Sequence, residues 1–302
     1  MENWDIVLLT EKRYINATKG DEYVLNVLRE QELVQNALEA KGLNVTRANW
    51  ADPSFDWAST KAVLFREIWD YHHRFAEFSP WLEATAAKTQ MINTAAQIRW
   101  NLDKHYLGDL ADQGVNVCST RFIEIGERCT LQQIREQEKL EDFVLKPAIS
   151  GGGRHTYRLS CDSATAHEGI FKDLIANESM LIQPFQQNIL KKGEVALMVF
   201  GGKYSHAILK IAKEGEFRVQ DDFGGSVQMY HPSEEEIAFA EDVVAKTDPL
   251  PAYARVDVIW DNDEQLAVTE LELIEPELWF RFKPEAADLF AEAVVSVLNC
   301  GA

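Results

Sequence analysis

The sequence predicts a mixed α/β protein in which a small parallel sheet is followed by antiparallel hairpins. The parallel sheet is predicted from a strand, a helix and two further strands in β-α-β order, at residues 6–10, 22–41, 44–48 and 61–66. Two pairs of short apolar segments, each joined by a turn, predict the hairpins, at residues 195–200 with 204–211 and 255–260 with 270–276. In parallel sheets ligands bind beyond the carboxyl ends of the strands, so a binding site is expected there.

The rest of the chain is predicted to supply helices around these sheets. Helical periodicity is present at residues 75–88, 95–110, 131–140, 233–245 and 285–298. Further strands are predicted at residues 115–117, 143–147 and 180–185, and polar loops at residues 148–154 and 213–232.

The composition indicates a globular and strongly acidic protein. Its 302 residues, 46% of them hydrophobic, are enough for two or three domains. The formal net charge of −19 argues against nucleic acid or an anionic membrane as a partner. The four cysteines are widely spaced, and neither a signal peptide nor a long apolar run is visible, so we expect a cytoplasmic protein with reduced thiols. Whether the chain forms a homo-oligomer is left open.

Three carboxylates of the second hairpin are predicted to share one face. Alternation along the strands places Asp257 on one face of the first strand, and Glu270 and Glu272 together on one face of the second. Such a cluster repels itself unless a cation neutralises it, and oxygen ligands suit Mg²⁺ or Mn²⁺. A solvent-exposed acidic hairpin is the alternative interpretation in so acidic a chain.

A run of three glycines, Gly151 to Gly153, follows a strand that carries Lys146 near its end. Glycine lets backbone N–H groups approach an anion closely, and successive N–H groups form a nest for phosphate. The run matches neither G-x-x-x-x-G-K-[ST] nor G-x-G-x-x-G, and a glycine run is also typical of a flexible turn. Lys146 favours the phosphate interpretation, because a lysine whose stem is buried on an apolar strand needs a counter-charge.

Arg66 ends a strand of the parallel sheet, where a ligand is expected. A guanidinium at that position can hold a carboxylate through two parallel hydrogen bonds. The alternative is an ordinary surface arginine that pairs with Glu67 or Asp70. We expect Arg66 to hold the carboxylate of a substrate.

The order of these motifs resembles that of the ATP-grasp superfamily, and within it the branch of bacterial glutathione synthetase and the ribosomal-protein S6 modification ligases. The resemblance runs from about Arg66 to Pro276. It consists of N-x-x-K ending at Lys104, L-K-P at residues 145–147, the glycine run, the strand at 181–185, Gly193-Glu194, Leu209-Lys210, residues 217–220 with Gly224-Gly225, Asp257, and Glu270-x-Glu272.

The resemblance implies an ATP-grasp fold in three parts. A Rossmann-like pre-ATP-grasp domain would span residues 1–117, and a small lid subdomain with the glycine loop residues 118–185. A C-terminal antiparallel-sheet subdomain with the metal site would span residues 186–302. The implied cofactors are ATP and Mg²⁺ (or Mn²⁺).

The resemblance also implies a role for each matching residue. Nucleotide contacts would come from Lys104 and Lys146, from Ser150, Gly151 and Gly152, from the backbone of Gln183, Pro184 and Phe185, and from Glu194, which matches an acid that binds ribose hydroxyls. Lys210 and Arg218 match basic residues that face the transferred phosphoryl group. Asp257 and Glu270 match the metal carboxylates, and Glu272 is assigned to the same metal.

The chain departs from the family pattern near the metal and the acceptor. Glu272 replaces the usual asparagine, and Ala196 replaces an arginine that usually follows the ribose acid. Glu275 stands where the family has small residues, and a carboxylate there favours a substrate with an amine. Glu275, Arg66 and Arg255 are therefore assigned to the substrate. The segment from Glu270 to Pro276 is similar to that of a small branch that includes the O-ureido-serine cyclo-ligase of cycloserine biosynthesis.

The resemblance implies an ADP-forming ligase that joins a carboxylate to an amine or thiol through an acylphosphate. We expect a small, zwitterionic, amino-acid-like substrate, and an intramolecular version would close a ring. A small-molecule kinase and a nucleotide-binding module without turnover are the alternatives. The ligase mechanism needs no side-chain nucleophile, so the cysteines and the His72-His73 pair are given no catalytic role.

Overall fold

The computed structural model describes residues 3–219 and 224–300, which form three β-sheets flanked by helices. The strands in these ranges are β1 (Trp4–Thr10), β2 (Val45–Asn49), β3 (Thr60–Phe65), β4 (Gln90–Ile92), β5 (Arg121–Ile123), β6 (Asp142–Pro147), β7 (Tyr157–Ser160), β8 (Met180–Pro184), β9 (Glu194–Phe200), β10 (Lys203–Ile211), β11 (Ser226–Tyr230), β12 (Tyr253–Trp260) and β13 (Leu266–Glu272). The helices are α1 (Lys12–Ile15), α2 (Glu22–Ala40), α3 (Phe75–Ala86), α4 (Ala95–Asn101), α5 (Tyr106–Asp112), α6 (Leu131–Gln137), α7 (Cys161–Ile175), α8 (Ile189–Lys192), α9 (Glu234–Ala245) and α10 (Ala286–Cys300). None of these helices combines the length and apolar character that a membrane crossing requires.

The first sheet is parallel, as predicted, with the strand order β2-β1-β3-β4. The central strands β1 and β3 are largely apolar because both faces are covered there, and in β3 only Lys61 is exposed. Helix α2 connects β1 to β2 and begins at Asp21, whose carboxylate accepts the Val24 N–H at 3.0 Å. The predicted β-α-β order is therefore confirmed.

The helix predicted at residues 95–110 is instead two helices, α4 and α5, separated by residues 102–105. The Asn101 side chain donates to Leu271 O at 2.7 Å and accepts the Leu273 N–H at 2.8 Å, which ties the end of α4 to the third sheet. The Lys104 N–H donates to Ala148 O at 3.0 Å. The break thus brings Lys104 to the start of the glycine loop.

The second sheet is antiparallel, with the order β5-β8-β6-β7, and helices α6 and α7 pack against it. Strands β6 and β8 were predicted, but β7 and α7 were not. Helix α7 buries only Ala164, Phe171 and Ile175 along a polar sequence. That narrow apolar stripe explains why the helix is hard to recognise in the sequence.

The third sheet is antiparallel, with the order β11-β10-β9-β12-β13. Both predicted hairpins, β9–β10 and β12–β13, are confirmed. The loop predicted at residues 213–232 contains strand β11, which was not predicted. It is a short, largely exposed strand at the edge of the sheet. Gln220, the last residue of one family motif, lies outside the described residues.

One hydrophobic core joins the first and third sheets. Helix α10 packs against α2, and Phe290 and Val294 of α10 share a buried cluster with Ile6 of β1 and Met198 of β9. The second sheet has a core of its own. Each sheet lies within one of the three ranges predicted for the domains, and the domain boundaries themselves stay a prediction.

Candidate active site

A cavity of about 750 Å³ lies where the three sheets meet. Its walls come from the loop after β3 (residues 69–73), the glycine loop (residues 150–154), strand β8 with the residues after it, and the inner face of the third sheet. Except for Arg66, every residue that the sequence assigned to the site lines this cavity.

The three carboxylates of the β12–β13 hairpin converge in the cavity. The register pairs Asp257 with Glu270 and Arg255 with Glu272, so alternation puts all four side chains on one face. One carboxylate oxygen from each of Asp257, Glu270 and Glu272 lies within 4.8 Å of the others. These hard oxygen donors fit Mg²⁺ or Mn²⁺, although the metal assignment itself stays a prediction.

Two lysines stand beside the acidic cluster on its second-sheet side. Lys146 Nζ lies 3.4 Å, and Lys104 Nζ 3.7 Å, from Glu270 Oε1. Burial alone would raise the pKa of Glu270, but Lys104 and Lys146, helped by Arg255, lower it to about 2. The two predicted phosphate lysines are therefore held next to a predicted metal ligand.

Lys210 and Arg255 balance the deeper carboxylates. Lys210 Nζ contacts Asp257 Oδ2 at 2.9 Å and also pairs with Glu194, and Arg255 binds Asp257 through Nε and Nη2 at 2.9 and 2.8 Å. Arg255 also pairs with Glu272. Burial, together with Asp257 and Glu270, raises the pKa of Glu272 to about 7 despite Arg255. Four cations thus surround three carboxylates.

The glycine loop is anchored at both ends. Lys104 Nζ donates to Ser150 O at 2.8 Å, and Arg154 donates to Ile149 O at 3.0 Å and pairs with Glu178. Gly152 and Gly153 have φ values of 56° and 68°, which favour glycine over residues with a side chain. The loop therefore lies over the cavity beside Lys104.

The residues assigned to the nucleotide base and sugar also have protein partners. Gln183 Nε2 donates to Thr120 Oγ1 at 2.8 Å, and Thr269 Oγ1 donates to Glu194 Oε2 at 2.9 Å. The Phe185 N–H donates to Asp142 O at 2.9 Å. The Phe185 N–H group is therefore not available to adenine, and the expected backbone contact of residues 183–185 with adenine stays a prediction.

Arg66 does not belong to the cavity, and the prediction that it holds a substrate carboxylate is wrong. Its side chain is 2% exposed, and Nη2 contacts Glu30 Oε1 of α2 at 2.7 Å. Glu30 also accepts the Leu278 N–H at 2.9 Å. The ion pair therefore joins the first sheet to the segment that follows β13. The alternative holds only in part: Arg66 Nε lies 3.8 Å from Glu67 Oε1, but both side chains are buried and not on the surface. Asp70 instead accepts hydrogen bonds from Trp50 and Arg74.

Glu275 lies at the first-sheet end of the cavity. Trp69 Nε1 donates to Glu275 O at 2.9 Å, which fixes the segment after β13 against the loop after β3. Burial, with Glu272 as a second cause, raises the pKa of Glu275 to about 8, and Tyr71 and Lys104 partly offset this rise. The substrate roles of Glu275 and Arg255 stay predictions. The role of Arg218 at the transferred phosphoryl group also stays a prediction, and Arg218 pairs with Glu216.

The structure also adds residues that the sequence did not assign to the site. Trp279 lines the cavity, and its ring lies 5.1 Å from the Arg255 guanidinium and 5.9 Å from Lys210 Nζ. Tyr71 and His72 line the opposite wall. The position of Tyr71 and His72 after a strand end was the available signal for them, whereas no local pattern points to Trp279.

Comparison with known proteins agrees with this architecture. Residues 122–270 match the family described as prokaryotic glutathione synthetase, ATP-grasp domain, and residues 6–93 match D-cycloserine synthetase DcsG, N-terminal domain. The crystal structure of a RimK domain ATP-grasp protein from Sphaerobacter thermophilus superposes with a TM-score of 0.66 at 17% identity, covering 96% of this chain and 98% of that one, which shows the fold alone. The fold and the matched domain define an ATP-grasp ligase, a class that uses ATP and Mg²⁺.

Two comparisons with proteins described as DcsG narrow the family further. The cycloserine biosynthesis protein DcsG of Streptomyces lavendulae is 31% identical over 278 residues, which cover 87% of this chain and 92% of the relative. The crystal structure of D-cycloserine synthetase DcsG superposes with a TM-score of 0.85 at 28% identity, covering 97% of this chain and 99% of that one. The chain belongs to the DcsG family of ATP-grasp ligases, which are ADP-forming carboxylate–amine ligases.

Proposed function

We propose that this chain uses Mg-ATP to activate the carboxylate of an amino-acid-like substrate and then closes a ring by intramolecular attack of a nitrogen. O-ureido-D-serine is the substrate we propose, with cycloserine as the eventual product. The observation that carries the proposal is the single cavity in which the acidic cluster, the glycine loop and Glu275 meet. The similarity of this chain, along 87% of its length, to a cycloserine biosynthesis protein supports the choice of substrate.

The nucleotide end of the cavity has the groups that Mg-ATP requires. Asp257, Glu270 and Glu272 would hold the metal, which supplies positive charge to the phosphate oxygens when it is bound. Lys104 and Lys146, which pair with Glu270, would turn to the phosphates. The purine would lie against an apolar wall made by Val144, Phe185, Ile259 and Leu271.

The reaction would proceed in two displacements. A carboxylate oxygen of the substrate attacks the γ-phosphorus of ATP, which forms an acylphosphate and releases ADP. The substrate nitrogen then attacks the acyl carbon, the C–N bond forms, and the C–O bond to phosphate breaks. Lys210 and Arg218 would stabilise negative charge on the transferred group. Hydrolysis of the carbamoyl group, with loss of carbon dioxide and ammonia, would leave cycloserine.

The substrate end supports recognition of an α-ammonium group. Glu275 is half-buried in the cavity, and a cation beside it would favour its charged form. Because Arg66 is outside the cavity, the substrate carboxylate would instead be directed towards the cations Lys210 and Arg255, which lie next to the phosphoryl site.

The test is ADP release with a panel of amino acids, combined with mass spectrometry of the product. O-ureido-D-serine should support ADP release and give a ring-closed product, whereas serine should support neither. A stable phosphorylated substrate would indicate a kinase instead. Nucleotide binding without any substrate-dependent ADP release would indicate a nucleotide-binding module, and either outcome would overturn the proposal.

A further inference from the structure

His72 lies in the cavity between the glycine loop and the substrate end. A Cβ atom added to Gly151 would lie 3.1 Å from His72 Nδ1 and 3.3 Å from its Cε1, so the imidazole packs directly against the loop. The ring of His73 lies 4.1 Å from it, and the ring of Tyr71 stands perpendicular to it at 5.7 Å. Both His72 and Tyr71 line the cavity, as does Glu275.

This position is where the acyl carbon and the attacking nitrogen are expected to meet. Lys104, one of the two lysines placed for phosphate, donates to Ser150 O at the start of the same loop. Glu275, the group proposed for the substrate ammonium, interacts with Tyr71, the neighbour of His72 in the chain. His72 therefore stands between the phosphate end and the ammonium end of the cavity.

We propose that His72 is the general base that takes the proton from the attacking nitrogen. The inference rests on the proposed function. In O-ureido-serine that nitrogen carries a carbonyl group, so its lone pair is delocalised and its proton must leave as it attacks. The nitrogen forms the C–N bond, its N–H proton passes to the imidazole, and the C–O bond electrons leave with phosphate. The imidazolium then returns the proton to phosphate.

The carboxylates of this region are already engaged. Asp70 accepts from Trp50 Nε1 and from Arg74, each at 2.7 Å. Glu270 is paired with two lysines, and Glu275 is assigned to the ammonium group. By contrast, no residue in the described ranges forms a hydrogen bond with the His72 imidazole, so a ring nitrogen is available to accept a proton.

The charge state of His72 is consistent with a base. The pKa of His72 is lowered to about 4, mainly by burial and then by the nearby charges of His73, Arg154 and Lys104. The imidazole is therefore neutral at physiological pH. Phosphate groups beside Lys104 and Arg154 would compensate two of these positive charges. The pKa would then rise and make the imidazole a stronger base once the nucleotide is bound.

The experiment separates the two displacements by trapping the acylphosphate with hydroxylamine, whose free lone pair needs no base. His72→Gln is expected to form ADP and the trapped hydroxamate within about twofold of wild type, and to lose ring closure by about 100-fold or more, which is the range of a general base. His231→Gln is the control, because His231 is exposed and does not line the cavity, and it should retain both reactions. Unfolding temperature and nucleotide affinity should be unchanged in both variants.

Two results would overturn the role of His72. Ring closure at the wild-type rate in His72→Gln would show that no proton passes to this residue. An equal loss of hydroxamate and ring product would show that His72 only positions the glycine loop. Failure of the proposed function looks different, since wild type itself would then trap acylphosphate, or release ADP, without any ring product from O-ureido-D-serine.

Discussion

Replacing Arg66 with methionine is expected to destabilise the protein and leave substrate recognition intact. The side chains of Arg66 and Glu30 are 2% and 6% exposed and lie 2.7 Å apart, so the variant would leave Glu30 as a buried carboxylate without its cation. Removing one partner of a buried ion pair typically costs about 3–5 kcal/mol. A Coulomb energy of about 4 kcal/mol, for two charges about 4 Å apart at an effective dielectric constant of about 20, has the same size.

Two features of the structure limit this loss of stability. Glu30 keeps the N–H groups of Leu278 and Phe280 as donors, at 2.9 and 3.3 Å. Burial raises the pKa of Glu30 even with Arg66 present, so in the variant the carboxyl group can take up a proton instead of remaining charged. We therefore expect the free energy of unfolding to fall by about 3 kcal/mol, at the lower end of the range for such pairs.

The assay is urea denaturation together with steady-state kinetics below the unfolding transition. Arg47→Met is the control, since Arg47 is exposed and donates to Gln31 Oε1 at 2.6 Å. It should lose at most about 1 kcal/mol. Unchanged stability in Arg66→Met, with a large rise in KM for the carboxylate substrate, would refute the structural role and return Arg66 to the substrate site.

Three further predictions concern the metal, the loop and pH. Glu270→Gln should lower turnover by at least about 100-fold without unfolding the protein. Glu264→Gln, in the exposed turn of the same hairpin, should leave turnover unchanged. Equal activities of the two variants at limiting Mg²⁺ would contradict the metal assignment. Residues 150–154 should exchange amide hydrogens more slowly with an ATP analogue and Mg²⁺, while the Gly201-Gly202 turn should not respond; equal protection of the loop in both states would count against its closure. Burial lowers the pKa of His206 to about 4, so the native state resists protonation and stability should fall by up to about 3 kcal/mol as pH drops from about 6.5 to about 4. His206→Gln should flatten this pH dependence of unfolding, and an unchanged dependence would be the contrary result.

The sequence predicted the parts of the structure that depend on local patterns. Alternation along two strands was enough to bring Asp257, Glu270 and Glu272 together, because the hairpin turn joins the strands directly. The parallel sheet followed from its β-α-β order in the same way. The family motifs then added Lys104 and Lys146, which no local pattern connects to the hairpin.

Arg66 shows where local reasoning fails. Its strand end was predicted correctly, but the partner Glu30 lies 36 residues earlier, on a helix whose packing angle the sequence does not reveal. The same limit applies to Phe185, whose N–H is taken by Asp142 on the neighbouring strand. His72 was given no catalytic role because the ligase mechanism needs no side-chain nucleophile, and only its place in the cavity against Gly151 indicates one.

The most direct test of the central claim is the fate of the substrate carboxylate oxygen. If the cavity makes an acylphosphate, O-ureido-D-serine labelled with ¹⁸O in its carboxylate should give inorganic phosphate that carries one ¹⁸O atom for each ring closed. Wild type and the control His231→Gln, whose histidine is exposed and outside the cavity, should transfer the label equally. Ring-closed product accompanied by unlabelled phosphate would contradict the account, because the carboxylate would not then have been activated by phosphoryl transfer.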